Sequence, residues 1–531
     1  MPLSVAQASI VMVATLVLSR VLGWVRLSVI GAQFGGSPRD LDAFWAAFRI
    51  PDTIFNLLVA GALASAFIPV FSGYLAKENE KEAWRIASSV MNAMLLLLIA
   101  LSAVMWVFAP TLMPLLAPDF TPAQLELSTR LTRIMLLSPI FMGLSSLFTG
   151  VLNSYRQFLS GATAPLVYNF VIVLFALFAA PFLGISALAY GVVAGALMMW
   201  LVQVPELTFR STKYTLALDL GHPGVREIAR LTGPRTLALG AVQVVFFVDL
   251  NLASRMPPGS LTALTYAFQL LLLPLGVFSI AISAAVFPAL SRYAAQGLQV
   301  NLRDALEQSI RWILLLTLPA AVMLIVLRRP IVHLLFQWKD FGPDLREATA
   351  AAFLLYAIGL VGHALVQIVA RGFYAIKDTR TPFVLTVISI AVNVALSVLL
   401  APSWGISGLA LANSIATLLE AALLLALLAP RARLRLAKLG GASLTFAVAS
   451  AVMGGAMFLF IRITNVTVDL DETKLGLLLQ TLLAMSVGAL AFLGVASVLR
   501  IAELGEIRAA LRGGHGPGPD IVKGTPAAPG G

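Results

Sequence analysis

Apolar runs of about twenty residues or more recur from one end of the chain to the other, separated by short polar stretches rich in Gly, Pro, Lys and Arg. At 1.5 Å per residue such runs match the roughly 30 Å hydrocarbon layer of a bilayer. They predict fourteen membrane-spanning helices, at 8–34, 42–74, 86–110, 126–153, 160–181, 184–206, 227–253, 261–290, 309–328, 346–375, 382–401, 404–429, 440–463 and 474–500. The short alternating segments that would build a transmembrane β-barrel are absent, so the expected fold class is an all-α polytopic membrane protein. The last residues, 506–531, are rich in Gly and Pro and are expected to form a disordered cytoplasmic tail.

The pattern repeats at an offset near 220 residues. Pro69–Tyr74 (PVFSGY) recurs as Pro288–Tyr293 (PALSRY), and Asp119-Phe120 recurs as Asp340-Phe341. Gly184–Ala189 (GISALA) recurs as Gly405–Ala410 (GISGLA), and Ala47–Arg49 (AFR) meets Ala267–Gln269 (AFQ). Four matches in order argue for two homologous bundles of six spans, 1–210 and 211–430, with the helix pair 431–505 appended. An even number of spans per copy gives both copies the same topology, related by an axis along the membrane normal, which is a transporter plan.

Composition agrees with a membrane protein. The 531 residues are 59% hydrophobic and 11% charged, with mean hydropathy +0.93. There are no cysteines, which excludes disulfides, thiolate metal sites and cysteine nucleophiles. Four histidines and the absence of HExxH, Walker A and GxSxG patterns leave enzyme chemistry and a metal site without support. The net charge of +11 reads as loop charge and not as a nucleic-acid footprint. Even-numbered loops and the tail hold 21 Lys and Arg, and odd-numbered loops hold seven, or nine with Arg130 and Arg133. That imbalance predicts both termini in the cytoplasm.

The informative residues are charges inside apolar helices, where each costs roughly 2.5–3.5 kcal/mol on insertion scales. Arg20, Arg26, Asp42 and Arg49 lie in or at the edges of the first two spans. Arginine's planar fork can hold phosphate oxygens bidentately. Arg20 and Arg26 are six residues apart, about 120° around an ideal helix, so a shared pocket needs Gly23 or another helix to bring them together. Asp42 and Arg49 share a face two turns apart and cannot pair directly. In the second repeat Arg235 is a substrate-site or interfacial candidate, with Arg255 nearby in the outer loop. Asp249, Asp378 and Glu420 are candidates for a coupling ion, Asp378 also reading as a cap before span eleven. His363 and Arg371 lie on span ten and read first as packing.

The stretches Ser19–Arg26 (SRVLGWVR), Asp42–Pro51 (DAFWAAFRIP) and Gly61–Tyr74 (GALASAFIPVFSGY) resemble the N-terminal signature of the MurJ/MviN lipid II flippases, within the superfamily of MATE-like and polysaccharide exporters. Gly372–Pro382 (GFYAIKDTRTP) and Leu271–Tyr293 resemble further segments of that family, and the resemblance covers nearly the whole chain, span count included. It implies a bacterial inner-membrane transporter that moves lipid II between leaflets by alternating access, with lipid II, membrane lipids and the cell-wall synthesis machinery as partners. It implies no cofactor beyond a coupling monovalent cation or the membrane potential. It carries a functional role onto Arg20, Arg26, Asp42 and Arg49, and a lipid-tail groove onto the last two spans. Two departures stand out. Phe55-Asn56 occupies the place of a common Arg-Arg pair, and Gln269 that of a common span-eight Arg. The implied cavity is therefore less basic, with Arg235 or Arg255 left to compensate and Gln269 lining it. The same-class alternative is a MATE-like exporter of another polyprenyl-linked saccharide or of drugs, the latter calling for an acidic cavity.

Overall fold

The computed structural model describes residues 5–59, 62–208, 214–467 and 473–505. Among the described residues every regular element is helical. The first repeat supplies α1 (Val5–Phe34), α2 (Pro38–Leu58), α3 (Ala62–Ala76), α4 (Glu80–Leu116), α5 (Pro122–Met135), α6 (Ser138–Ser154), α7 (Leu159–Leu174), α8 (Ala180–Leu183), α9 (Ser186–Leu201) and α10 (Val204–Thr208). The second supplies α11 (Pro223–Ala253), α12 (Ser260–Pro274), α13 (Ala281–Ala295), α14 (Gln299–Phe336), α15 (Pro343–Ala375) and α16 (Arg380–Ala432), followed by α17 (Leu436–Thr467) and α18 (Lys474–Val498). Short π-helical segments at Phe175–Ala179 and Leu275–Ile280 bridge α7 to α8 and α12 to α13.

Among the described residues, ten stretches are long and apolar enough to cross a membrane. One of them, α16, is two rods joined at Gly405, whose φ of 54° breaks the helix. With α1, the α2–α3 pair and α11 added, the rods follow the fourteen predicted spans. Their outward faces carry large apolar side chains such as Phe178, Phe182, Leu399 and Leu490, as helices facing lipid do.

The repeat is also written in the backbone. Glu78 and Gly297, Arg156 and Lys377, and Gly184 and Gly405 all have positive φ, and each pair is separated by the offset seen in the sequence. These residues stand at turns between spans, so the two copies reverse direction by the same local device.

Two compact units emerge. The first comprises residues 1–265 and 335–346, the second 266–334 and 347–531. The first unit is thus larger than the first repeat, because α11 packs against α2, α3 and α4. Segment 335–346 joins it because the α1–α2 turn seats there. Asp340 N donates to Ala32 O at 3.3 Å, and a Cβ on Gly35 would lie 2.7 Å from the Phe341 Cα, so only glycine fits.

Local signals set the helix starts. Asn79 caps α4, with Glu80 and Glu82 in its first turn. Thr121 and Gln124 form a reciprocal capping box on α5, and the Gln124 amide also donates to Arg39 O at 3.3 Å. In the second unit, Gly359 and Gly362 let α15 lie against the α16 backbone near Ser414 and Leu418. Met453 and Met457 of α17 pack with Leu327 and Ala484, tying α17 and α18 to α14.

Candidate functional site

The buried charges of the first unit gather from α1, α2, α7 and α11. Arg49 and Asp52 stand one turn apart on α2, and their side chains form an ion pair of 3.6 Å. That distance is a loose contact, longer than a charge-assisted hydrogen bond. Phe246 and Asp249, one turn apart on α11, face the same guanidinium. Arg49 Cζ lies 4.6 Å from the Phe246 ring centroid, and its charge acts on the Asp249 carboxylate. Arg26 reaches in from α1. Its Cζ lies 5.9 Å from the Tyr168 ring centroid on α7, and its charge acts on Asp52.

Three polar atoms in this group are buried without a hydrogen-bond partner among the described residues: Arg26 Nε, Tyr168 Oη and Asp249 Oδ1. Asp249 is only 6% exposed, and a bare carboxylate oxygen in such surroundings is costly. Buried polar atoms left open in this way call for a partner that the neighbouring side chains do not supply. The formal charges of Arg26, Arg49, Asp52 and Asp249 cancel, so the group is not a simple anion trap. What it offers is two forked cations in a low-dielectric setting where charge contacts are strong, Arg49 at 3.6 Å from the Asp52 carboxylate and Arg26 with an open Nε.

The other expected residues are placed as follows. Arg20 is exposed on α1 and makes no ion pair among the described residues, adding positive charge one and a half turns before Arg26. Asp42 is 3% exposed and fully engaged. It accepts from Gly259 N at 2.6 Å, Thr262 N at 2.8 Å and Thr262 Oγ1 at 2.7 Å, which makes it a cap on the start of α12. Arg255 is exposed at the end of α11, and its Nη2 donates to Asn251 Oδ1 at 3.0 Å, so it is not brought to the cluster. Arg235 lies on α11, and its side chain is outside the described residues. Gln269 is half-buried on α12 in the second unit.

Among the coupling-ion candidates, only Asp249 has an open oxygen. Asp378 sits in the turn before α16 and accepts from Thr381 N at 3.0 Å and Thr381 Oγ1 at 2.6 Å, and it pairs with Arg431. The hydrogen bonds from Thr381, with help from Arg431, hold its carboxyl down at about 2. It therefore stays ionised at physiological pH, and it serves as the cap that the sequence offered as its alternative. Glu420 is buried on α16 and accepts from Thr386 Oγ1 at 2.6 Å. His363 is paired with Asn413 at 3.0 Å, and Arg371 reaches Ile280 O at 3.5 Å. Among the described residues no three His, Asp or Glu side chains converge as a metal site would need.

Sequence reasoning missed Asp52, Tyr168 and Phe246. Asp52 carried a usable signal, since it stands three residues after Arg49 on the same helix. The aromatic pair carried none, because only packing brings α7 and α11 to those arginines.

The family model described as lipid II flippase MurJ matches residues 30–478. A probable lipid II flippase MurJ of Bdellovibrio bacteriovorus is 30% identical over 515 residues, covering 95% of this chain and 96% of that one. A lipid II flippase MurJ of Burkholderia cenocepacia is 30% identical over 418 residues, covering 77% and 80%. Among solved structures, lipid II flippase MurJ in an inward closed conformation superposes with a TM-score of 0.78 at 24% identity over 93% of this chain. An inward-facing MATE-family multidrug resistance transporter superposes with a TM-score of 0.65 at 16% identity over 80% of it, a likeness of fold alone. With most of its length matched by the family model and nearly all of it aligned to a relative, this chain belongs to the MurJ lipid II flippase family.

Proposed function

We propose that this chain is a transporter that moves lipid II, the polyprenyl-diphosphate-linked peptidoglycan precursor, from the inner to the outer leaflet of the bacterial inner membrane by alternating access. The observation that carries this is the Arg26–Arg49 cluster. A diphosphate can replace the loose Asp52 contact on Arg49 and engage the open Nε of Arg26. Arg20 supplies positive charge that no carboxylate among the described residues pairs with. The two sequence repeats are the bundles that rock, and the apolar pair α17 and α18 runs beside the polyprenyl tail. Asp249, with its open oxygen, is where a coupling cation would act. The decisive measurement is lipid II accessibility in the outer leaflet of cells depleted of their own flippase. Expression of this chain should restore export. Undiminished inner-leaflet accumulation, with the protein present in the membrane, would overturn the reading.

Topology has its own test. Loop charge places residues 77–81 and 431–438 in the cytoplasm and 469–474, which lie largely outside the described residues, on the outer side. The cysteine-free background allows Lys77→Cys, Lys438→Cys and Asp471→Cys to be read singly. An impermeant thiol reagent applied to intact spheroplasts should label only the last, and labelling of either of the first two reverses the orientation.

A further inference from the structure

A second charged cavity lies away from the arginine cluster. It has a volume of about 760 Å³ and opens between the C-terminal part of α4, the length of α5 and the start of α9. Its polar wall is one face of α5. Glu126, Arg130 and Arg133 follow one another at intervals of about one turn, with Thr129 between them. Arg133 is fixed: its Cζ lies 4.4 Å from the Trp106 ring centroid, and its Nε donates to Trp106 O at 3.1 Å. Arg130 and Glu126 are both exposed and, one turn apart, have no ion-pair partner among the described residues. The rest of the wall is apolar or aromatic, and Trp106 and Tyr190 stand half exposed at its mouth. Beside Trp106, Val107 and Phe108 are exposed on α4, so an apolar flank of the helices adjoins the cavity.

We propose that this cavity binds the headgroup of a zwitterionic aminophospholipid. Arg130 and Arg133 hold the phosphate diester, Glu126 receives the ammonium, and the acyl chains leave over Trp106 and the α4 flank. Three features select this ligand class. Two arginines within one turn suit a phosphate, whose oxygens a planar guanidinium fork can hold bidentately. Glu126, about 6 Å along the helix from Arg130, penalises a purely anionic headgroup and suits one whose ammonium sits two carbons from the phosphate oxygen. Trp and Tyr at the mouth are the side chains that favour the headgroup layer. Gln124, which links the start of α5 to Arg39 in the first turn of α2, puts the cavity at the helix end that the loop charges assign to the outer leaflet. The inference does not depend on what the transporter carries.

Native mass spectrometry of the full-length protein in detergent reads the site, with dioleoylphosphatidylethanolamine, dioleoylphosphatidylglycerol and soluble glycerophosphoethanolamine titrated separately. The ethanolamine lipid is expected to bind more tightly than the glycerol lipid. Arg130→Gln with Arg133→Gln should weaken it about tenfold or more. Glu126→Gln, a conservative change of an exposed side chain, should remove the preference for ethanolamine without weakening the glycerol lipid. Ethanolamine-lipid binding that survives the double arginine change, or a wild-type preference for the glycerol lipid, would overturn the proposal. So would glycerophosphoethanolamine binding as tightly as the lipid, because the site would then take a soluble phosphate ester.

Discussion

Arg26→Ala is expected to abolish lipid II export while the protein still accumulates in the membrane. Arg26 is half-buried, packs near the Tyr168 ring and has an open Nε, and Asp52 keeps Arg49 as its nearer cation, so removing Arg26 costs the fold less than removing Arg49. What it removes is a contact with the substrate. A charge-assisted hydrogen bond is worth about 1.5–3 kcal/mol, so lipid II affinity should fall roughly tenfold to a hundredfold. Arg49→Ala should act in the same direction. It should also perturb the protein more, because it leaves Asp52 and Asp249 without the cation that both now share. Arg26→Lys keeps the charge and loses the planar fork, so it should fall between wild type and alanine. Two measurements settle the matter: complementation of a flippase-depleted strain, and lipid II binding to the purified variants. Full complementation by Arg26→Ala would remove this cluster from the transport path.

The fold was readable in the chain because its dominant force is simple. Twenty apolar residues in a row have few alternatives to a membrane helix, and the loops between them announce themselves through Gly, Pro and charge. The repeat was readable for the same reason. Gly184 and Gly405 are conspicuous by residue type, and both prove to hold left-handed backbone. Less obvious were the non-glycine members of the same set. Nothing in Glu78, Arg156 or Lys377 as residue types foretells a positive φ.

The candidate site was only half legible. Charges in apolar helices singled out Arg26, Arg49 and Asp249, but what surrounds them is a matter of packing. Tyr168 and Phe246 are aromatic residues among thirty phenylalanines and nine tyrosines, and the sequence does not distinguish them. Asp52 was within reach of simple helix geometry. The extent of the first unit was not, since α11 follows the repeat boundary in sequence yet packs with α2, α3 and α4. Arg255 is the converse case. Its position near the end of span seven suggested compensation for missing family arginines, whereas its guanidinium is spent on Asn251 at an exposed helix end.

Asp42 gives the second large effect, and one that separates a clasp from a substrate ligand. Its carboxylate fills the start of α12 with three donors at 2.6–2.8 Å: two backbone N–H groups and one hydroxyl. A helix N-terminus presents unpaired N–H groups and a positive dipole end, so a buried carboxylate there is well matched. Gly259 makes the approach possible: its φ is 93°, and a Cβ would press on Pro38 and Leu345 at 3.3 Å. Asp42→Ala strands all three donors. At about 1–3 kcal/mol for each unsatisfied buried group, and with some relief from entering water, the expected loss of stability is about 3–5 kcal/mol. Asp42→Asn keeps one acceptor oxygen but turns an NH2 group toward a donor, and should cost about 2 kcal/mol. Thr262→Val removes only the hydroxyl and should cost about 1 kcal/mol. Thermal unfolding of the purified variants should therefore rank Thr262→Val above Asp42→Asn and Asp42→Ala last, with membrane abundance following the same order. If Asp42→Ala instead melts with wild-type Tm and export is lost, the carboxylate meets the substrate during transport, and its capping of α12 contributes little to the stability of the protein.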